Sequence, residues 1–412
     1  MPKTLLMIVT LLLLVGMVQA QDEVDPALEE QLVALEAITQ TIRDLPQLEP
    51  VERVFPTRTE TIEYLRTVYE RDLPVEDAER AEAFYRALGF FTPDIDLREL
   101  YLTLLSSQVA GFYDPDAKTM NVIPMIGETP GDSLSLTEQI TYVHEFTHAL
   151  QDQHFDLAAL LPAELNNQPD RALAIRSLVE GDATVSMTFY TQAVAERNPM
   201  AALAILSEGL ASGTLFLPPG IPPILVRELT FPYEEGAAFV SELYNEGGWA
   251  AVDAAYAAPP QTSEQILHPE KYASSEPAIP VELGDAPPTP GADWTQAWDV
   301  TLGEFYIREQ VDSELAPSRA NRAAAGWGGD RFLVFTNGDQ VASWLKIVWD
   351  TPEDAPEFHD LYAAYAESRF GGEAQAGCWS NAAEVLCLYA ESDGSSVVIT
   401  APTLEIAAQL HQ

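Results

Sequence analysis

His144-Glu145-Phe146-Thr147-His148 is the stretch on which the fold turns. It follows Ser135 and Glu138, whose S-x-x-E spacing forms a capping box and predicts a helix from Leu136 to about Gln153. Histidines four apart share one face of such a helix, so both imidazoles can meet a single ion while Glu145 leans over the ion's open side. Two neutral imidazoles leave zinc strongly Lewis acidic, and a carboxylate beside its open position can take a proton from water as that water attacks a carbonyl. The pattern implies a metal-dependent hydrolytic site, with His144 and His148 as ligands and Glu145 as general base. The competing account is a surface helix with two solvated histidines, but with only six histidines in the chain a chance match is rare. Val143, Phe146, Ala149 and Leu150 give the helix an apolar side whose burial would fix the direction of the metal face.

Catalytic zinc usually takes three protein ligands and one water, so a third ligand is needed. Two residues compete. Glu180 lies 32 positions after His148, within a second helix expected over about Asp170 to Glu196, whereas His154 lies 6 after His148. The spacing of His144, His148 and His154 matches HExxHxxGxxH, but Gln151 stands where the turn-permitting glycine would be. If His154 is not a ligand, it is expected to cap the helix C-terminus.

These residues resemble the zincin metallopeptidases, and within them the gluzincins, whose third ligand is a Glu on a later helix. His144 to Ala149 is similar to the thermolysin-type helix, and Glu180-Gly181-Asp182-Ala183 resembles the Glu-Gly-x-Ala element of several gluzincins. The resemblance gives the ligand role to Glu180 and implies one zinc ion per chain, acting on a peptide or protein substrate. Gly111-Phe112-Tyr113-Asp114-Pro115, His148 to His154 and Gln265 to Tyr272 also resemble uncharacterised exported bacterial sequences assigned as metallopeptidases, so the likeness covers about Gln108 to Tyr272. One departure is Thr184, where thermolysin-like enzymes carry an Asp that orients a ligand histidine; Asp182 and Asp152 are the candidates left for that role. The resemblance further implies a Tyr or His that stabilises the oxyanion. His268, at the Leu267-His268-Pro269 corner, is the first choice and Tyr233 and Tyr272 follow. The competing accounts are a structural hydrogen-bonded histidine for His268 and core packing beside Phe231 and Pro232 for Tyr233.

The rest of the chain sets the context. Lys3, an apolar run from Leu5 to Val18 and the small-residue site Val18-Gln19-Ala20 predict a signal peptide over residues 1–20, cleaved after Ala20, and hence an exported protein. The run is short for a membrane span of about 20 residues, and no stable membrane insertion is expected after cleavage; the alternative is an uncleaved anchor. A formal charge of −43, with only four lysines, speaks against nucleic acid as a partner, because phosphate binding depends on clustered basic side chains. The two cysteines, Cys378 and Cys387, flank a turn at Asn381 to Glu384 and are expected to form a cross-strand disulfide in an oxidising compartment, the alternative being two buried thiols.

The expected fold class is α+β and mainly helical: a zincin-like core with a short sheet, plus a small C-terminal α+β domain. After the signal peptide come an N-terminal helical region at 21–107, either propeptide or subdomain, and a catalytic domain at 108–276. A Pro-rich linker at 277–293 and a C-terminal domain at 294–412 follow. Asp25 to Leu45 reads as an amphipathic helix. Gln108–Tyr113 and Thr119–Ile123 read as a hairpin that could pair an extended substrate. Phe332–Phe335 and Ser343–Trp349 read as strands around Asn337-Gly338. Gly326-Trp327-Gly328-Gly329-Asp330 reads as a structural turn, since it lacks a P-loop lysine. The expected function is a zinc peptidase; the alternatives are a zinc amidase acting on cell-wall peptides and a non-catalytic zinc-containing binding module.

Overall fold

The computed structural model describes residues 24–411 apart from 108–110, 125–126, 129–130, 199, 201–219, 283–286 and 288. The expected signal peptide and the first residues of the expected hairpin lie outside the described residues. The fold is mixed α+β. Among the described residues no helix is long and apolar enough to cross a membrane.

Helix α1 (Pro26–Arg43) opens with Asp25 accepting the Ala27 N–H, and buries Leu28, Leu32 and Leu35 at helical spacing. After β1 (Glu52–Val54), helices α2 (Arg58–Asp72), α3 (Val75–Ala87) and α4 (Leu97–Ser107) lead to β2 (Phe112–Asp114) and β3 (Thr119–Asn121). These strands form a small sheet in the order β1-β3-β2, with β1 parallel and β2 antiparallel to β3. Helix α5 (Leu136–Phe155) carries the HExxH stretch. Ser135 and Glu138 make both bonds of the capping box, and Asp156 ends the helix with φ 56°. The core of this unit is formed by the leucines of α1 together with Tyr113, Met120, Val143, Phe146 and Leu150.

Short α6 (Leu157–Leu160) precedes the long α7 (Pro169–Arg197), on which α8 (Pro223–Gly247) packs. The two backbones nearly touch. A Cβ on Gly181 would collide with the Gly236 carbonyl, and one on Gly236 with the Ser177 carbonyl. Glycine at both positions is what lets the helices come this close. Helices α9 (Trp249–Ala257), α10 (Ser263–Leu267) and α11 (Pro269–Ala273) complete this half.

The C-terminal unit contains β4 (Thr295–Val300), α12 (Gly303–Asp312), α13 (Pro317–Ala324), β5 (Trp327–Asn337), β6 (Gln340–Trp349), α14 (Asp354–Phe370), β7 (Cys378–Ser380), β8 (Val385–Ala390), β9 (Ser396–Ala401) and α15 (Leu404–Leu410). Its strands form one antiparallel sheet in the order β4-β5-β6-β9-β8-β7. Cys378 and Cys387 face each other in register and are joined as a disulfide.

Two expectations need correction. Only Gly326 of the glycine-rich stretch at 326–330 lies in a turn: Trp327 to Asp330 begin β5, and a Cβ on Gly329 would strike the Ile279 carbonyl. The start of the segment expected to be a linker lies against that strand, with the Ile279 N–H donating to the Gly328 carbonyl at 2.7 Å. The regions also pack on one another. Phe84 of α3, from the N-terminal region, sits 5.3 to 5.8 Å from the rings of Trp298, Tyr306 and Phe332, and a shared core joins these units.

Candidate metal centre

Helices α5 and α7 bring His144, His148 and Glu180 together. Glu180 Oε2 lies 3.2 Å from His144 Nε2 and 3.3 Å from His148 Nε2, and the two Nε2 atoms are 3.1 Å apart. Donors about 2.0–2.1 Å from a tetrahedral zinc stand about 3.3 Å from one another, so this triangle has the size and chemistry of three corners of such a site. His144 is 6% exposed, which removes the account of two solvated surface histidines.

The tautomer of His148 follows from its neighbours. Gln151 donates its Nε2 to both the Val179 carbonyl (3.0 Å) and Asp182 Oδ2 (3.0 Å), which fixes the orientation of its amide. Its Oε1 therefore faces His148 Nδ1 at 2.8 Å as an acceptor, so Nδ1 carries a hydrogen and Nε2 is the nitrogen that offers a lone pair to the centre when the ring is neutral, as metal binding requires. Asp182 is held in turn by Arg43 Nε at 2.6 Å and by the Tyr256 hydroxyl at 2.8 Å. Arg43 also donates to Asp253 at 2.6 Å and lies over the Trp249 ring. The carboxylate expected to orient a histidine thus acts through an amide, and a residue of α1 anchors it. Asp152, the other candidate, accepts from the Tyr113 hydroxyl at 2.8 Å.

Burial works against charge in this cluster, yet the groups offset one another. Desolvation opposes His148, but Glu180 beside it outweighs that and raises its pKa to about 9. Desolvation likewise opposes ionised Glu180, and the two imidazoles nevertheless hold its carboxyl well below the usual range. Glu145 is raised above the ordinary carboxylate value, chiefly by burial. Its Oε2 accepts the Tyr113 N–H at 3.0 Å, which ties it to β2.

The remaining expected residues divide. His154 points away from the triangle: Gln151 is helical, no turn follows it, and His154 Nε2 donates to the Pro46 carbonyl at 2.7 Å. It therefore pairs with the chain after α1 instead of capping its own helix. His268 lies 3.0 Å from Glu304 of α12, and this hydrogen bond is the main cause raising its pKa. The Tyr272 hydroxyl donates to the Ala258 carbonyl at 2.9 Å. Tyr233 is the one of the three that reaches the centre, its ring stacked on His144 at 5.7 Å. Burial first, then the carboxylates of Glu180 and Glu145, keep its phenol well above the ordinary value, so it remains a donor. The glycine contact between α7 and α8 positions it. Gln151, Arg43 and Tyr256 were missed, although Gln151 follows His148 by three residues, a spacing that places it on the same face.

A second group of acidic side chains, Glu264, Glu276 and Asp350, surrounds an amine already present: Lys271 Nζ lies 2.6 Å from Glu264 and 3.0 Å from Glu276, and also pairs with Asp350.

Residues 295–411, from β4 through α15, match a family model described as a domain of unknown function (DUF8575). No curated protein and no solved structure matches the chain.

Proposed function

We propose that this protein is an exported zinc-dependent peptidase with a zincin-like core, in which His144, His148 and Glu180 hold one zinc ion and Glu145 is the general base. The observation that carries this reading is the three-atom triangle of 3.1 to 3.3 Å with Glu145 on the same helix. Zinc, when bound, would polarise the peptide carbonyl and acidify the attacking water. Glu145 takes the proton from that water and delivers it to the leaving amine, a role suited by a carboxyl that burial raises above the ordinary carboxylate value. The Tyr113 N–H holds the carboxylate in place between the two transfers.

Tyr233 replaces His268 as the expected donor to the developing oxyanion. It stacks on His144, and its phenol stays protonated where a donor is needed. Strand β2 is an edge of the small sheet, and Tyr113 ties that edge to the general base. An extended peptide pairing with this edge would run past Glu145.

Zinc content and hydrolysis of a quenched peptide library, measured on the mature chain, test the proposal. Near one zinc per chain, cleavage lost in Glu145→Gln with zinc retained, and zinc lost in Glu180→Ala are the expected results. Stoichiometric zinc without cleavage of any peptide would turn the reading toward a cell-wall amidase or a binding module.

A further inference from the structure

Arg176 precedes Glu180 by one helical turn on α7, so the two side chains share a face about 5–6 Å apart. Its side chain is partly exposed. Its Nε is buried without a partner, and among the described residues the guanidinium makes no hydrogen bond or ion pair. Such isolation is costly for a cation beside a desolvated site. The carboxylates within its electrostatic reach are committed elsewhere. Glu180 faces the two imidazoles, and Glu228 accepts the hydroxyls of Tyr85 at 2.8 Å and Tyr306 at 2.6 Å. Burial, the largest effect on Arg176, lowers its pKa to about 10, which agrees with a charge the protein itself leaves poorly compensated.

We propose that Arg176 binds a carboxylate of the substrate, within one or two residues of the bond that is cleaved. The distance follows from the helix: one turn separates Arg176 from the metal ligand, and an extended peptide advances about 3.3–3.6 Å per residue. A planar guanidinium whose donors have no partner among the described residues suits carboxylate recognition. The carboxylate is either the free C-terminus of a peptide or an acidic side chain near the scissile bond. This assignment rests on the peptidase reading of the neighbouring centre.

The test separates the two. Calorimetry on the zinc-loaded Glu145→Gln chain compares acetyl-Ala-Ala-Ala, its C-terminal amide, and the amide with Glu as the last residue. The same titrations are run with Arg176→Met and Arg176→Lys added. A charge-assisted pair predicts that one carboxylate peptide binds about 10- to 100-fold more tightly than the neutral amide. Arg176→Met should abolish that preference while amide binding stays unchanged, and Arg176→Lys should retain part of it. Whichever acid binds tightly identifies its source. Equal binding of acids and amide, or a preference that survives in Arg176→Met, overturns the role of Arg176. Absence of zinc and of cleavage in the wild-type chain overturns the peptidase reading instead; the titrations are then run without zinc, and a preference lost in Arg176→Met supports the carboxylate site on its own.

Discussion

Replacing Gln151 by Leu cuts the link between His148 and Asp182 with little change in side-chain volume. In the native chain Gln151 is fully buried and makes three bonds, accepting from His148 and donating to Val179 and Asp182. Leucine leaves the His148 Nδ1–H without an acceptor and removes the constraint on which nitrogen carries the hydrogen. A buried donor left unsatisfied costs about 1–3 kcal/mol. Loss of a group that orients a metal-binding histidine typically weakens metal affinity about 10- to 100-fold, equivalent to about 1.4–2.7 kcal/mol. Competition between the protein and a zinc chelator should show a dissociation constant raised by that factor, with helical content by circular dichroism unchanged. At saturating zinc, cleavage should recover in part, because Glu145 and Glu180 are untouched. A zinc affinity within twofold of wild type in a folded Gln151→Leu chain would refute the claim that this amide sets the histidine's tautomer.

Gly181→Ala pushes a methyl group into the Gly236 carbonyl, so α7 and α8 must separate. Overpacking of this kind costs about 1–3 kcal/mol, and thermal unfolding should register it together with reduced zinc content, because Glu180 moves with its helix. Glu228→Gln tests a pH effect. Burial raises this carboxyl to about 7 from the ordinary 4.5, so its contribution to stability is present in full below about pH 4.5 and is lost as pH rises through about 7. The variant should remove a decline of up to about 3 kcal/mol across that window, and denaturant unfolding at pH 5 and pH 8 measures it; an unchanged decline would exclude Glu228 as its source. Deleting residues 24–44 strips the leucines of α1 from the core and Arg43 from Asp182. The shortened chain is expected to lose zinc and its cooperative unfolding transition, whereas a stable, zinc-binding product would mean that α1 is dispensable in the manner of a propeptide.

What could be read from the sequence was local. The capping box at Ser135, the two histidines of α5 and the helical setting of Glu180 all follow from spacings of three and four residues, which a helix turns into faces without help from the rest of the chain. The hairpin of Cys378 and Cys387 is local for the same reason. The parts that escaped depend on distance along the chain. Arg43 meets Asp182 across 139 residues, and nothing in a helix ending in arginine distinguishes a buried anchor from a solvated C-terminal charge. Gly236 reads as a weakness in a helix until Gly181 is seen opposite it, and only then does Tyr233, rather than the more conspicuous His268, become the residue delivered to the imidazoles. His268 stood out because histidine is scarce and its corner was expected to expose it, yet a carboxylate from α12 had already claimed its ring. The same dependence on assembly governs how the consecutive regions pack on one another. Helix α3 finds its apolar partner in a sheet that begins more than 200 residues later, so Phe84 packs where burial is available and not where the sequence is near. The candidate ligands were legible because one helix carries two of them; the residues that hold those side chains in place come from α1, α7, α8 and α9, and their roles exist only once the chain has closed around them.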